Sequence, residues 1–494
     1  MSRWRMLGND RGVALVLALM ILLTLTGLVL AFLSVSAFEP QISRNLSDGA
    51  RARYLAEAGL EMGFNALIAT ADANSTWTGA LTSATSSSPW VAVTYPLGSA
   101  MTNVALPGMT SASAGSYSVT VRNDTTTDTA ITGLTGSSSP LADGTASTDV
   151  NKVVIMRATG TFNGASKTLE VVVTRLALPP FPGAVNVPGN QADSYLNTQN
   201  FDIDGRDYSC SANCDTATNW TTSDPAGTRK FGLSTQTGTQ TNVGVTFEAR
   251  VESAFGTSSS CNTACSDNKK ASVKGKSEVD GTYTTGLNTI QADSSLTPSV
   301  MASFLNKLAN FPGTQIFQST MACPMKLSGN SSDASQPTLR NNNGGTGGAS
   351  CTLNQTLDLG SRSNPKLVYF RGELDTTSSF TGLQFNSASG DPAIKGAGIL
   401  VVEDGDLKNY GNFEWDGIVI VTGAYTSAAF FSGSTTKIRG ALAANESQAG
   451  EASGYFEFYL NALANQFSVR NSKQNVDMVQ IMRALHSMSS WREI

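Results

Sequence analysis

The pattern of apolar positions begins with one uninterrupted apolar segment, residues 13–38, that contains no charged side chain. A span of roughly 20 apolar residues crosses the hydrocarbon core of a bilayer, so this segment predicts a transmembrane helix. The residues before it, 1–12, form a short leader in which arginines outnumber acidic residues. Because positively charged flanks stay in the cytoplasm, we expect the leader inside and the rest of the chain outside.

A secretory signal peptide is the alternative interpretation of the same segment. Signal peptides have apolar regions of only about 7–15 residues, and this one is longer. Val35, Ser36 and Ala37 still form an acceptable small-residue cleavage site. The transmembrane helix is preferred, and cleavage by signal peptidase stays open.

A second pattern follows, with apolar residues at every fourth position, and it predicts an amphipathic helix over residues 39–73. Pro40 is expected to kink the chain between the two segments. Arg53 and Glu57 are spaced to form an ion pair on the helix surface. The apolar face, which should lie on a sheet, is the ridge Ile42, Leu46, Ala50, Tyr54, Ala58 and Met62, widened by Leu60, Phe64 and Leu67.

Alternation of apolar and polar residues then indicates β-strands in residues 74–177. Tyr117, Val119 and Val121 alternate with polar residues, and two later strand-like segments are joined by Asn163-Gly164. Asn-Gly is the strongest short signal for a two-residue hairpin turn. We therefore expect a small sheet on which the amphipathic helix packs. The proline-rich residues 178–182 predict a stiff linker after it.

A loose repeat of short strands that end in glycine runs through residues 183–460. The last three copies are spaced by roughly 18–20 residues, close to the shortest periods of repeat proteins. Stacked coils of a parallel β-solenoid account for this pattern, and a two-sheet sandwich is the competing architecture. Helices are expected at 299–311 and 477–485, and residues 461–494 should form a helical cap. The repeats are 185–189, 201–205, 368–372, 399–405, 418–423 and 436–440.

The predicted fold class is therefore α+β and mostly β: a long N-terminal helix, a small β-sheet region and a large C-terminal β-rich domain. Only 14% of the residues are charged, a composition that suits an extracellular β-rich domain. The net charge of -5 argues against nucleic-acid binding. His486 is the single histidine, which removes most histidine-based metal and acid–base sites. No cofactor is expected.

The residues around the apolar segment resemble a known family. RGVALV at 11–16, the apolar segment and RYLAEAGLE at 53–61 are similar to the N-terminal region of PilX-type minor pilins. The resemblance implies cleavage by a prepilin peptidase between Gly12 and Val13, with N-methylation of the new Val13 amine. It also implies that the helix packs among other major and minor pilins in a type IV pilus or a related pseudopilus.

The same resemblance implies where the protein is found and what it meets. Before assembly it would be a single-pass inner-membrane protein with a cytoplasmic N-terminus, in contact with an assembly platform in that membrane. After assembly it would be part of an extracellular pilus or pseudopilus. The implied role is structural, without enzymatic activity.

Leu17 departs from the family pattern. Major pilins carry a glutamate at this fifth position after the cleavage site, where it neutralises the terminal amine of a neighbouring subunit. An unpaired buried charge is costly, so a subunit with Leu17 suits a place with no subunit above it. We expect a tip position, where the protein primes assembly and presents its β domain.

Two other functions remain open from the sequence. The first is a surface adhesin, attached to a pilus or to the membrane, whose C-terminal domain binds an external ligand. The second, less favoured, is a β-helix enzyme that acts on polysaccharide. No spacing of carboxylates marks a general acid and base, and a fold alone implies no activity.

Six cysteines in an exported chain predict disulfides. Zinc bound by the two Cys-x-x-x-Cys loops is the alternative, disfavoured by export and by the absence of nearby histidines. The spacing favours the pairs Cys210–Cys214, Cys261–Cys265 and Cys323–Cys351.

Other candidate sites are weaker. Acidic clusters offer oxygen ligands for Ca²⁺, but without a full EF-hand pattern the preferred interpretation is a polar strand end with a glycine turn. An aromatic group could bind a ligand, although core packing is preferred. His486 is expected at the surface or in the cap. The clusters are Asp202, Asp204 and Asp207, then Glu403, Asp404 and Asp406; the aromatic residues are Tyr410, Phe413, Trp415, Phe430 and Phe431.

Overall fold

In the computed structural model of the chain, the apolar and amphipathic segments form one helix, α1 (Asp10–Ala69). Pro40 lies inside the helix and does not end it. The two predicted segments are thus continuous in secondary structure, and the expected kink stays a prediction. The helix ends at Ala69, and the last residues of the predicted amphipathic segment, 70–73, lie outside the part of the chain that the structure describes.

The structure describes most of the chain, with gaps at the N-terminus and in several connecting segments. The described residues are 10–69, 76–95, 98–106, 115–124, 145–190, 192–197, 199, 201–214, 219–222, 227–240, 244–320, 322–342, 353–373, 382–387, 390–424, 426–431, 435–446, 458–460 and 467–494.

Short helices and many strands follow α1. The helices are α2 (Phe247–Ser253), α3 (Thr263–Ala271), α4 (Pro298–Ala309) and α5 (Lys473–Gln480), with 3₁₀ turns at Thr78–Leu81, Leu287–Thr289 and Arg483–Leu485. The strands are β1 (Val91–Ala92), β2 (Ser116–Asn123), β3 (Val153–Phe162), β4 (Ala165–Arg175), β5 (Gly183–Val187), β6 (Ser194–Leu196), β7 (Asp202–Asp204), β8 (Tyr208–Cys210), β9 (Trp220–Thr222), β10 (Phe231–Thr235), β11 (Val273–Lys276), β12 (Tyr283–Thr285), β13 (Ile290–Ala292), β14 (Ile316–Gln318), β15 (Met325–Ser328), β16 (Thr338–Asn341), β17 (Asn354–Thr356), β18 (Gly360–Ser361), β19 (Asn364–Arg371), β20 (Leu383–Phe385), β21 (Ile394–Glu403), β22 (Leu407–Asn409), β23 (Phe413–Gly423), β24 (Ala428–Phe430), β25 (Thr436–Glu446), β26 (Phe458–Leu460), β27 (Phe467–Arg470) and β28 (His486–Glu493).

The chain divides into two units. The smaller unit comprises residues 1–70, 78–173 and 488–494, and the larger one comprises 71–77 and 174–487. The predicted linker at 178–182 therefore falls inside the larger unit. The larger unit is also inserted between two strands of the smaller one, because the chain returns to the smaller unit at its end.

The smaller unit is α1 packed on a sheet of order β1-β2-β3-β4-β28. Strand β2 shows the predicted alternation, with Tyr117, Val119 and Val121 buried. The predicted hairpin is confirmed: Asn163 and Gly164 connect β3 to β4, and both have positive φ. Two positive φ values are what a type I′ turn requires and what Asn-Gly provides at low cost.

The face of α1 that lies on this sheet is not the predicted ridge. Ile42, Leu46 and Tyr54 are exposed by 58%, 70% and 68%, so that expectation was wrong for the first part of the ridge. The widening positions Leu60, Phe64 and Leu67 are buried as expected. Periodicity alone did not distinguish two possible apolar faces. The sheet selects the one rich in alanine and glycine, Ala52, Ala56, Gly59, Leu60, Gly63 and Phe64.

Glycines let this helix approach the sheet closely. A Cβ on Gly160 of β3 would lie 2.1 Å from the carbonyl oxygen of Ala52 and 2.5 Å from the amide nitrogen of Ala56, both in the backbone of α1. A Cβ on Gly63 of the helix would lie 2.6 Å from a methyl group of Val119. Larger side chains would push the helix away from the sheet.

The final strand and the predicted helical cap differ most from expectation. Residues 461–466 lie outside the described part of the chain, and the helical part of 461–494 is α5 with a short 3₁₀ turn. Residues 486–493 instead form β28, which pairs with β4 in the smaller unit. Local pattern could not show this pairing, because the two strands are separated by the whole larger unit.

A buried carboxylate ties β28 to the sheet. Glu170 of β4 is 2% exposed and accepts hydrogen bonds from Arg157 of β3 and from Arg492 of β28, with Nε of each guanidinium 3.1 Å from a carboxylate oxygen. Nearby, Lys167 and Glu493 form an ion pair at the surface. Loss of the partners of the buried Glu170 carboxylate should therefore destabilise the sheet more than loss of the exposed pair of Lys167 with Glu493.

The larger unit is built on two large sheets, and β8 and β9 form a separate two-stranded sheet. The first has the order β12-β11-β7-β27-β25-β23-β21-β19-β14, with β5, β10, β13 and β18 paired beside this path. The second has the order β17-β16-β15-β20-β22-β24-β26-β6. From β20 to β27 successive strands belong to the second and first sheet in turn. Pairing along β19-β21-β23-β25-β27-β7 is parallel, whereas β11 with β12 and β15 with β16 are antiparallel.

The long strands of the first sheet are apolar on both faces, as buried parallel strands are. One face packs on the second sheet in a core that includes Trp415, Val419 and Leu442. The other face, beyond the middle of each strand, packs against α4 and α5 through residues such as Ile418 and Ile420. The six predicted repeats all contribute strands to this first sheet.

Three glycines align across this sheet. Gly398, Gly417 and Gly440 are direct register partners on β21, β23 and β25. Each has φ between 121° and 147°, outside the range that side chains favour. A Cβ on Gly417 would lie 2.1 Å from the Gly398 carbonyl oxygen, and one on Gly440 would lie 2.0 Å from that of Gly417. We call this set the glycine ladder.

We predict that Gly160→Ala destabilises the smaller unit by about 1–3 kcal/mol, because the added methyl group meets helix backbone that cannot rotate away. Gly49→Ala is the matched control. Gly49 lies in α1 with nothing within 4 Å of its Cβ position, so alanine there should stabilise by about 0.5–1 kcal/mol through helix propensity. Urea unfolding of the full-length chain in non-ionic detergent measures both, and equal effects would contradict the close helix–sheet contact.

We also predict that Arg492→Ala lowers the unfolding free energy of the smaller unit by about 2–3 kcal/mol, since Glu170 stays buried with one guanidinium in place of two. Glu493→Ala, on the same strand, should cost much less because it breaks only an exposed pair. The same unfolding experiment compares them. A loss for Arg492→Ala no larger than for Glu493→Ala would show that β28 does not hold the sheet through Glu170.

Candidate functional site

The first half of α1 has no partner in the described part of the chain. Every described side chain from Val13 to Ser36 is exposed, with Val13 at 67% and Leu17 at 56%. The helix is long and apolar enough to cross a membrane, by length and composition alone, and signal sequences also pass that test. An apolar surface of this extent in water is unfavourable, so it requires lipid or other protein around it.

The exposed surface continues as a stripe along the second half of the helix. This stripe consists of Phe38, the last residue of the predicted transmembrane segment, and of Ile42, Leu46 and Tyr54, which the sequence analysis assigned to the sheet-facing ridge. The ion pair expected between Arg53 and Glu57 is present, with Nε 3.1 Å from Oε1. The helix α1 therefore exposes apolar side chains on all sides in its first half and on one side only in its second half.

The predicted processing site lies at the beginning of this helix. Gly12 and Val13 are helical residues, and residues 1–9 of the leader lie outside the described part of the chain. Leu17 is one of the exposed apolar side chains. Cleavage, methylation and the meaning of Leu17 stay predictions.

Two of the three expected disulfides are present. Cys210 bonds to Cys214 and Cys261 bonds to Cys265. Cys323 is disulfide-bonded, and Cys351 lies outside the described residues. The first bridge closes the loop between β8 and β9, and the second lies at the beginning of α3. Both fix short local segments.

The first acidic cluster is occupied by protein cations. Asp202 accepts hydrogen bonds from Lys274 at 3.0 Å and from Arg470 at 2.7 Å, and these cations hold the pKa of its carboxyl below the usual range despite burial. Asp204 is bound by Arg206, whose Nη2 lies 2.6 Å from Oδ2, and by the Tyr208 hydroxyl.

The third member of that cluster, Asp207, has a structural role. Asp207 accepts the amide of Lys473 at 2.8 Å, at the beginning of α5. The three side chains are thus engaged separately by protein groups. This supports the polar strand end over a Ca²⁺ site.

The second acidic cluster is dispersed around a turn. Glu403 bonds to Arg371 and accepts from the Tyr369 hydroxyl. Burial and the nearby Glu403 raise the pKa of Asp404 to about 6. Asp406 accepts from Ser427, and burial raises its pKa.

The candidate aromatic residues divide between core and surface. Phe413, Trp415 and Phe430 are fully buried, in agreement with the preferred core interpretation. Tyr410 and Phe431 are half-buried and stack on each other with ring centroids 4.4 Å apart.

His486 is not at the surface. It is 5% exposed at the beginning of β28, and its Nδ1 lies 2.8 Å from the carbonyl oxygen of Met482. Burial lowers its pKa to about 4. The expectation of a surface position was therefore wrong, whereas His486 does cap the 3₁₀ turn Arg483–Leu485.

The sequence analysis missed one feature, the charged outer face of the first sheet. It lies on the strand segments that precede the glycine ladder, on the face that points away from the second sheet. Register aligns charged side chains into two rows that cross the strands. The first row is Lys395, Glu414, Lys437, Ser468 and Asp202; the second is Asp416, Arg439, Arg470 and Asp204. The sequence did contain a signal for these rows: in the repeats, two polar residues at positions i and i+2 shortly precede the glycine.

Residues 11–61 match the family model described as PilX N-terminal. The N-terminal part of the chain is therefore similar to the PilX N-terminal region. A comparison with curated protein sequences finds no significant match.

Among solved structures, the crystal structure of the competence-associated pilin ComZ from Thermus thermophilus is similar at 12% sequence identity. The match covers 91% of this chain and 98% of that one, with a TM-score of 0.21. A TM-score of that size establishes no common fold.

The PilX N-terminal region includes two physically different parts of α1. Its first part is the exposed apolar surface. Its second part, with Leu55, Ala56 and Leu60 buried and Gly59 in close contact with Tyr117, lies on the sheet of the smaller unit. Small residues in the RYLAEAGLE stretch therefore serve the close packing of helix on sheet.

Proposed function

We propose that the protein is a pilin-like subunit of a type IV pilus or a related pseudopilus. The observation that carries this proposal is the exposed apolar surface of α1 from Val13 onward within a PilX N-terminal region. Other pilin helices would cover that surface in a filament, and lipid would cover it before assembly. The stripe of Ile42, Leu46 and Tyr54 extends the contact beyond the depth of a membrane.

The proposal includes processing and partners. A prepilin peptidase cleaves between Gly12 and Val13, and the new amine of Val13 is methylated. The precursor is a single-pass inner-membrane protein with its N-terminus in the cytoplasm, and it contacts an assembly platform there. The role is structural. In support, the acidic side chains of the charged outer face are held in ion pairs and do not form an acid–base pair.

A place at the filament tip is the finer part of the proposal. Leu17 supplies no carboxylate for the amine of a neighbouring subunit, whose charge would stay uncompensated in an apolar environment. The larger unit, residues 174–487 together with 71–77, is also easier to accommodate at an end than in every turn of a filament. At the tip the subunit would prime assembly and present this unit outside the cell.

We further propose that the larger unit is a parallel β-solenoid. In support, strands alternate between two sheets from β20 to β27, and the glycine ladder keeps neighbouring strands in register. Each strand pair would then form one coil, and the antiparallel strands would belong to insertions.

The expected mature protein begins at N-methylated Val13, which intact mass spectrometry of membrane and sheared-filament fractions can show. Gly12→Leu should keep the leader, because the cleavage site is lost, and should be absent from filaments. A mature chain that begins at Phe38, or an uncleaved chain in the wild type, would exclude the pilin pathway. Gold labelling along the whole filament would exclude the tip position alone.

If the larger unit is a solenoid, removing one coil in register should leave a folded chain. Glu403 is the register partner of Thr422, so deletion of residues 404–422 joins equivalent positions of successive coils. We expect the shortened chain to keep its β circular dichroism and a cooperative unfolding transition. Deletion of 404–412 is the control, because it ends out of register and should abolish folding. Loss of structure in both variants would contradict the solenoid.

A further inference from the structure

The two rows on the charged outer face alternate in sign except at one place. Along the first row Ser468 interrupts the sequence of charges between Lys437 and Asp202. Along the second row Arg439 and Arg470 are direct register partners. Like charges placed directly opposite on neighbouring strands destabilise a sheet. Each guanidinium here has a carboxylate partner, Asp416 for Arg439 and Asp202 for Arg470, and these pairs offset the repulsion.

A cavity of about 350 Å³ lies at this place. Among the residues that the structure describes, its charged lining consists of Lys274, Lys437, Arg439, Arg470 and the single carboxylate Asp202, and Trp220 and two phenylalanines supply an apolar part. The volume falls within the range of small-ligand sites. Cations outnumber carboxylates here, although the chain as a whole has a net charge of -5.

The carboxylates nearby do not compensate these cations fully. Asp202 is shared by Lys274 and Arg470. Glu414 is shared by Lys395 at 3.7 Å, Lys437 at 3.1 Å and Arg439 at 3.5 Å. Arg439 also pairs with Asp416, with Nε 2.6 Å from Oδ1, so three carboxylates meet five cations in these contacts. Cations in excess lower the pKa of both carboxyl groups against the effect of burial. The cavity is therefore a region of positive potential.

Trp220 is held rigidly at the cavity. Its indole lies between two guanidinium groups, 4.7 Å from Arg362 and 4.8 Å from Arg439. Its Nε1 donates to the carbonyl oxygen of Cys214 at 2.8 Å. The disulfide between Cys210 and Cys214 closes the loop that carries this carbonyl. The wall of the cavity is thus braced by a covalent bond as well as by cation–π contacts.

The lining combines groups with three different chemistries. Lysine and arginine side chains donate to an anion. Asp202 and the Ser468 hydroxyl can also accept hydrogen bonds. Sugar hydroxyl groups need such acceptors, whereas a simple inorganic anion does not. Phe201, Trp220 and Phe467 are at most 5% exposed, so they give the cavity a buried apolar wall and no open ring face. A carboxylated sugar unit requires this combination of donors, acceptors and apolar surface.

We propose that this cavity binds a uronate unit of an acidic polysaccharide, with its carboxylate directed to Lys274, Lys437 and the two arginines. This site rests on the larger unit alone and goes beyond the structural role proposed above. The subunit would then bind anionic polysaccharides outside the cell. The mature N-terminus tests the pilin pathway independently, so the failure of one proposal leaves the other standing.

The test is calorimetric titration of the full-length chain in non-ionic detergent with a de-esterified oligogalacturonate. We expect saturable binding that the fully methyl-esterified oligomer does not show. Lys437→Gln and Lys274→Gln should each weaken binding by about tenfold or more, since each removes a charged hydrogen bond. Both variants should fold, because Glu414 and Asp202 each keep another cation.

Lys366→Gln is the matched control. Lys366 lies on β19 of the same sheet, pairs with Asp358 and is as exposed as Lys437, but it does not line the cavity. It should bind the oligomer like the wild type. No binding, or equal losses in all three variants, would overturn the proposal. Phosphate or polyglutamate binding as tightly as the uronate, with the same dependence on Lys437, would also overturn it by showing a site that recognises charge alone.

Discussion

The glycine ladder is the constraint on which the larger unit depends. Because Gly417 and Gly440 lie so close to the carbonyl group of the preceding glycine of the ladder, no side chain fits at these positions. The aligned glycines therefore fix the register of the strand segments on both sides of them. Beyond them, apolar side chains face α4 and α5; before them, charged side chains form rows. A change of register would exchange the two faces of each strand and destroy both arrangements.

The smaller unit uses glycine for a different purpose. Gly63 and Gly160 remove side chains from the contact between α1 and its sheet, so the backbones approach closely. The same helix has no contact of this kind in its first half, where large aliphatic side chains are exposed. A subunit that folds by itself and then joins a larger bundle needs tight packing at one end of such a helix. It also needs an uncovered apolar surface at the other end.

Features with a local cause could be predicted from the sequence. The hairpin at Asn163-Gly164, the ion pair of Arg53 with Glu57, the two short disulfides and the strand repeats depend on residues close together in the chain. The buried face of α1 was assigned incorrectly in part, because periodicity identifies apolar faces but not the one on which small residues permit contact. The charged rows, the buried His486 and the cavity depend on partners distant in sequence, so no local pattern revealed them.

The pairing of β28 with β4 has a consequence for the order of events during biogenesis. The sheet of the smaller unit lacks its last strand until residue 493 has been synthesised, and until then Glu170 has only one of its two guanidinium partners. A chain truncated anywhere in the larger unit would carry an intact α1 on an incomplete sheet. Synthesis of residues 486–493 is thus a condition for completing the sheet on which α1 packs.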